Sequence, residues 1–270
     1  MRSSIAEENL RFHPCFQESC HSAYGRIHLP VAPRCNIQCA FCDRKYDCVN
    51  ESRPGVTSKV ITAAEAAERV REAVRREPGI RVAGIAGPGD PLANPETFET
   101  LRLLRKSNPG LILCASTNGL LLTEKLEELL DAGLNTLTVT INAATLQTAA
   151  RIYTAVQLPG GEGSGARALE QFLELQREGL TKSCEAGLTV KVNTILIPGI
   201  NDGEISAVAR LASEAGASVM NLMPLIPCGG MKERRAPSGE ELAAARQDAG
   251  RWIRQFTLCR QCRADACGFV

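Results

Sequence analysis

The chain has 270 residues, 44% of them hydrophobic and 23% charged, with a formal net charge of +1. That length admits one large α/β domain or two small ones, and a near-neutral charge provides no overall field favouring nucleic acid or anionic lipid. No apolar run approaches the roughly 20 residues of a membrane span, and no signal-peptide pattern opens the chain, so a soluble, cytoplasmic protein with neither nucleic-acid nor membrane partner is expected.

Twelve cysteines are the anomaly. In a cytosolic chain of this size they point to metal or redox chemistry rather than disulfides.

Residues 1–12 read as a polar lead-in. His13-Pro14-Cys15 follows, then Cys20-His21 and His28, so all three histidines fall within a short stretch. Thiolate and imidazole donors gathered in this way suggest a metal site. Among them His28, on a strand, and Cys15, whose approach Pro14 stiffens, are the better placed. His13, His21 and Cys20 receive no role.

Arg26 to Ala32 reads as the first strand. It feeds Cys35-Asn36-Ile37-Gln38-Cys39-Ala40-Phe41-Cys42. Three thiolates on one short loop suit three corners of a cubane iron–sulfur cluster. Structural zinc prefers four donors in two separated pairs. The spacing, with the aromatic before the last cysteine, resembles the signature loop of the radical S-adenosylmethionine (SAM) superfamily. That resemblance implies a four-iron cluster on Cys35, Cys39 and Cys42, an open iron chelated by SAM, and Phe41 lying against adenine. A polar loop from Asp43 to Gly55 follows, carrying Cys48 and Glu51.

The segments HPCF (13–16), YGRIHLPVAPRCNIQCAFC (24–42) and DRKYDCVNESRPGV (43–56) resemble the NifB family, the radical SAM maturases of nitrogenase cofactor assembly. The likeness continues through GIAGPGDPLANPETF (84–98), STNGL (116–120), TVTINA (138–143), NTILIPGIND (193–202) and CRQCRADACG (259–268). It covers essentially the whole chain, which reads as a short form without the additional cofactor-binding domain of some relatives.

The remaining elements follow in order. Thr62 to Glu77 is a helix opened by a Thr62–Glu65 capping box. Ile80 to Ala86 is a strand ending in Gly87-Pro88-Gly89-Asp90. The resemblance assigns Gly87, Pro88 and Gly89 to the SAM amino group. A helix over 95–106 is capped near Asn94.

The third strand, 111–116, carries Cys114 on the face of Ile112 and Ser116. A strand cysteine is ordinarily a small buried hydrophobe; the resemblance makes Cys114 a cluster ligand. Ser116 and Asn118 sit at the strand's carboxyl end, where barrel ligands bind. A helix over 124–132 is closed by Gly133, and the fourth strand, 136–142, ends in Asn142, placed to bind SAM.

A helical piece over 146–156 precedes a flexible loop over 159–165 and a helix over 166–178. Strand five, 188–197, has Lys191 and Asn193 on one face, with Asn193 placed among the SAM contacts. A helix over 204–215, strand six over 218–225 and a last helix over 238–256 complete the pattern. Cys184 and Cys228 read as structural thiols. Cys259 and Cys262 form a CxxC pair without the βαβ context of a redox motif, so a partner must complete their site. Cys48 is the candidate, and Cys267 is left unassigned.

Six β runs alternating with helices argue parallel strands covered by helices. The expected fold is a radical SAM partial TIM barrel, (β/α)6. Residues 1–25 form an N-terminal extension, 26–228 the barrel and 229–270 a C-terminal segment, and the extensions cover the open mouth.

The resemblance implies a carbide synthase that methylates and fuses two further [4Fe-4S] clusters, its substrates. One is assigned to Cys15, His28 and Cys114, with Glu51 as an exchangeable ligand. The other is assigned to Cys48, Cys259 and Cys262. Implied partners are cluster donors, cofactor-acceptor proteins of nitrogenase assembly and an electron donor, with the chain itself a monomer. Alternatives are a peptide-modifying radical SAM enzyme with fixed auxiliary clusters, and a non-catalytic cluster carrier.

Overall fold

The computed structural model describes residues 9–43, 48, 59–161 and 165–269. The six expected strands are present as β1 (Gly25–His28), β3 (Ile80–Ile85), β4 (Ile112–Thr117), β5 (Thr136–Thr140), β7 (Thr189–Leu196) and β8 (Val219–Pro224). All six pair in parallel in one curled sheet of order β8-β7-β5-β4-β3-β1. This is the open (β/α) half-barrel anticipated from the alternation of elements.

Period-two alternation decides what each strand presents to either side. Ile27, Leu29, Ala83, Ile85, Leu113, Ala115, Leu137, Val139, Val190 and Val192 join the main apolar core. That core includes Ala66, Ala67 and Val70 of α1 (Ala63–Arg76) and Leu101 and Leu104 of α2 (Pro95–Ser107). It also includes Leu126 of α3 (Leu122–Asp131) and Val208 of α6 (Ile205–Glu214). The alternate residues, among them Arg26, His28, Gly84, Cys114, Ser116, Thr138, Lys191 and Asn193, line the interior of the half-barrel.

Helix ends follow local chemistry. Thr62 and Glu65 cap α1 reciprocally as expected. Gly133, at φ 83°, follows α3. Asn94 stands at the N-cap of α2 but makes no side-chain cap. Its amide instead accepts from Arg34 N–H at 3.1 Å and donates to the Arg34 and Asp90 carbonyls, pinning the start of the cysteine loop.

Three boundaries differ from the sequence expectation. The helix expected over 146–156 ends at Ile152, giving α4 (Leu146–Ile152), and Tyr153–Val156 becomes β6. It pairs antiparallel with β2 (Ile37–Cys39), inside the cysteine loop itself. The aromatic and β-branched residues of β6 suit that pairing.

The helix expected to stop at 178 runs on as α5 (Gly165–Glu185). Gly179 is no terminator. It is the crossing point with α3, where a Cβ would lie 2.4 Å from that of Leu122. The last helix, α7 (Gly239–Ala249), ends early at Gly250. The chain beyond it runs beside β8, with Phe256 N–H donating to Met220 O at 2.7 Å.

A short strand unforeseen from sequence, β9 (Cys267–Gly268), pairs antiparallel with β1. The C-terminal segment therefore leaves one edge of the sheet, at the Met220–Gln255 bridge, and reaches the other edge at β1. It straps across the opening of the half-barrel. The segment around Phe16 packs against it, as Arg254 donates to Phe16 O at 3.0 Å and Thr257 N–H to Glu18 Oε1 at 2.9 Å.

Candidate active site and cluster cavity

Two concavities lie along the inner face. The smaller is lined by Cys35, Cys39, Cys42, Cys48, Gly89, Asp90, Ser116, Thr117, Asn118 and Thr140. The larger is lined by Cys15, His28, Cys114, Cys259 and Cys262, together with His13, His21, Arg26, Lys191 and Arg260. Ser116 is on both walls.

Strand β4 orders them. Ile112 meets Phe16 and Phe256 at the bottom of the half-barrel, Cys114 faces the larger cavity, Ser116 stands between, and Asn118 faces the cysteine loop.

The cysteine loop is held by main-chain contacts. Gly89 crosses it so closely that a Cβ there would sit 2.2 Å from Arg34 O, and only glycine permits that approach. Gly87 has φ 136° and a cis bond to Pro88. Asp90, unremarked in the sequence, accepts from Leu92 N–H, Thr117 Oγ1 and Asn118 N–H at 2.7–3.1 Å. Burial pushes its carboxyl up, against the pull of those donors. Asn118 donates to Asn36 Oδ1 at 2.7 Å, tying the end of β4 to the loop.

The placement of the expected SAM contacts is mixed. Gly89, Ser116 and Asn118 line the cysteine pocket. Phe41, expected against adenine, is fully covered by protein, in an apolar cluster with Leu120, Phe172 and Met231. Asn142 is also fully buried, its Oδ1 accepting from Ile195 N–H at 2.8 Å, so it secures β7. Asn193 lies on the wall of the larger cavity and accepts from Asn221 at 3.1 Å.

The structure brings Cys15, His28, Cys114, Cys259 and Cys262 to one cavity, from four separate parts of the chain. It does not put Cys48 there; that thiol lines the pocket of the signature cysteines. Glu51 and residues 162–164 of the loop expected over 159–165 lie outside the described residues. Cys267 falls instead in an outer groove beside Arg69. Cys20 donates to Arg11 O at 2.8 Å, a structural role, and burial raises the Cys184 thiol to about 12.

Electrostatics prepare the larger cavity for anions. Arg26, Lys191 and Arg260 line it, and no carboxylate does among its described residues. Arg26 donates to Cys262 Sγ at 2.7 Å, and to Gly268 O and Phe269 O. Burial, then Arg26, lowers His28 to about 4, and burial raises Cys15 to about 12.

His13 is held well below its ordinary value by burial, then by Lys191. Its Nδ1 accepts from Cys15 N–H at 3.2 Å. The Nε2 atoms of His13 and His21 are buried without hydrogen-bond partners. Imidazole and thiol side chains gathered around an open space, two ring nitrogens among them without protein partners, are donor types that iron accepts. Among the described residues no three His, Cys, Asp or Glu side chains close on one point as for a single metal ion. No helix among the described residues is long and apolar enough to cross a membrane.

The Radical SAM superfamily matches residues 29–212. A relative from Klebsiella pneumoniae, "FeMo cofactor biosynthesis protein NifB", is 46% identical over 265 residues, 96% of this chain and 57% of its own length. Its namesake from Methanocaldococcus infernus is 43% identical over 97% of this chain and 86% of its own length. The chain belongs to the NifB family of radical SAM enzymes. It spans 57% and 62% of the Klebsiella and Chlorobaculum tepidum relatives.

Among solved structures, Streptococcus suis SuiB superposes with TM-score 0.62 at 12% identity, covering 88% of this chain and 50% of that one. Methylornithine synthase PylB superposes with TM-score 0.56 at 15% identity, covering 94% and 76%. Both share the half-barrel fold. Family membership implies a [4Fe-4S] cluster and SAM, and the cysteine loop beside Gly89, Ser116 and Asn118 is fitted to hold them.

Proposed function

We propose that this chain is a carbide-forming maturase of nitrogenase cofactor assembly. Its substrates are two four-iron clusters. One is methylated from SAM, and its carbon is built as carbide into a fused eight-iron core. When bound at the cysteine loop, a four-iron cluster with SAM supplies reductive SAM cleavage.

The chain's own residues do the rest. Cys35, Cys39 and Cys42 take three irons and leave the fourth for SAM. Gly87, Pro88 and Gly89 bring main chain to the SAM amino group without a Cβ in the way. Ser116 and Asn118 stand between SAM and the larger cavity. Cys15, His28 and Cys114 hold one substrate cluster, and Cys259 and Cys262 take two corners of the other. Glu51 serves as an exchangeable ligand. Fewer than four thiolates per cluster suits a substrate that must be released. The partners are cluster donors, a cofactor-acceptor protein and an electron donor, and the place of work is the cytoplasm.

The observation that carries this reading is the convergence of five thiolate and imidazole donors on one cavity that shares Ser116 with the signature pocket. Anaerobic reconstitution should give about twelve irons per chain, from three four-iron clusters; about four would overturn it. Cys42→Ala should abolish SAM cleavage. Cys114→Ala should spare cleavage and yield no eight-iron product, and full product from that variant would remove Cys114 from the ligand set. Auxiliary clusters permanently retained through turnover would favour a fixed electron-carrying role instead.

A further inference from the structure

Gly84 occupies the middle of β3, with β1 on one side and β4 on the other. It pairs with His28 in one register and with Cys114 in the other, so His28, Gly84 and Cys114 form a single row across three strands. All three line the larger cavity. Two side chains proposed as cluster ligands thus flank a position with no side chain.

Glycine inside a strand weakens it, and its presence marks a bulge, a tight bend or a close approach by a ligand or another backbone. The first two do not apply. Gly84 does not adopt a left-handed φ. The β3–β4 register is regular, and the one irregularity between β1 and β3 lies at Gly25 and Arg26.

Crowding by protein atoms does not apply either. A Cβ at 84 would meet His28 Cδ2 at 3.4 Å and Cys114 Cβ at 3.7 Å, both ordinary van der Waals contacts. Gly89 is the contrast, since there a Cβ would strike Arg34 O at 2.2 Å. The fold therefore has a reason for glycine at 89 and none at 84.

We propose that Gly84 is the floor of a substrate-cluster seat: its missing side chain lets a cuboidal iron–sulfur cluster lie against the sheet between His28 and Cys114. The inference rests on the reading that His28 and Cys114 hold a substrate cluster. It adds a steric requirement, because donors two strands apart in one row can share a cluster only if the residue between them leaves the space clear. A methyl group there would project into the seat while leaving the metal-free sheet intact.

Gly84→Ala tests this on the whole chain. The metal-free variant should melt at the wild-type temperature or roughly 1–3 °C above it, since alanine is less costly than glycine inside a strand. After anaerobic reconstitution it should hold about eight irons or fewer, against about twelve for wild type, four having gone with the cluster that would sit there. SAM cleavage should persist. Wild-type iron loading by Gly84→Ala, with an unchanged spectrum of the reduced protein, would overturn the proposal alone. A lower melting temperature of the metal-free variant would also overturn it, by showing that the fold itself needs the glycine. About four irons in wild type would fail the underlying reading and the seat with it.

Discussion

Arg26 shows how much one side chain can organise. It is almost wholly buried, and its guanidinium reaches Cys262 Sγ and the carbonyls of Gly268 and Phe269. One fork thus holds both a proposed ligand sulfur and the strand that brings the C-terminus home. Hydrogen bonds to cluster sulfurs raise the reduction potential. Arg26→Gln should therefore shift one auxiliary cluster to a more negative potential in a reductive titration followed by its spectrum, with the signature cluster unmoved. An unchanged potential at full iron loading would reduce Arg26 to a structural tie. Arg26→Lys keeps the charge but not the planar fork, so it should fall between the two.

Residues of this kind were only partly legible. The cysteine triplet could be read from its spacing and the inward face of Cys114 from alternation, because a strand's inward face is set by period two. His28 is legible from its strand, and Cys114 as a ligand only from the family resemblance. Asp90 and Arg26 could not. The partners that tie them to the site lie 27 and more positions away in sequence, and nothing local says that a carboxylate will gather Thr117 and Asn118 or that an arginine will meet a thiol. Phe41 and Asn142 went the other way. Their positions suggested SAM contacts, yet both are covered by the protein's own packing.

Among the elements, those closed by local chemistry were readable and those closed by distant pairing were not. The α1 capping box and the Gly133 stop depend on neighbours in sequence, and each parallel strand was legible from its own apolar run. Strands β6 and β9 depend on finding the cysteine loop and β1, and α5 continues through Gly179 because α3 packs there.

Helix α7 offers an electrostatic test of a local device. Ser238 and Glu241 form its capping box, and Glu241 also pairs with Arg235 at 2.6 Å. The Arg235 hydrogen bond, then that from Ser238 N–H, holds the Glu241 carboxyl down to about 2, from an ordinary value of 4.5. A depressed carboxyl contributes stability above its unfolded value and loses it as pH falls through its folded one. Glu241→Ala should thus lower the melting temperature of the metal-free chain near neutral pH. The gap from wild type should close between about pH 4.5 and about pH 2. A gap that persists unchanged to the acid limit would mean that the carboxylate charge has no part in it.

At the scale of the whole molecule, the half-barrel is finished by its two ends. The segment around Cys15 and the strap carrying Cys259 and Cys262 meet over the interior, joined by Arg254 to Phe16 O, Glu18 to Thr257 and Lys191 to Cys15 O. His13 Nε2, His21 Nε2 and Arg26 Nε are buried without hydrogen-bond partners. Unsatisfied buried polar groups each cost about 1–3 kcal/mol.

Clusters with thiolate ligands would bring negative charge and sulfur acceptors to the N–H groups of His13 Nε2 and Arg26 Nε while linking the N-terminal segment, the sheet and the strap through shared iron. A ligand that binds only the folded state stabilises it by about 4 kcal/mol at a thousandfold excess over Kd, which for a chain of this size is on the order of 10 °C in melting temperature. Reconstituted protein should melt higher by about that amount. Its terminal segments should also resist a protease that cuts them in the metal-free chain. Cys114→Ala should lose part of the gain, because one of the anchors in the sheet is gone. Equal melting temperatures for loaded and metal-free protein would mean that the two ends close over the cavity unaided.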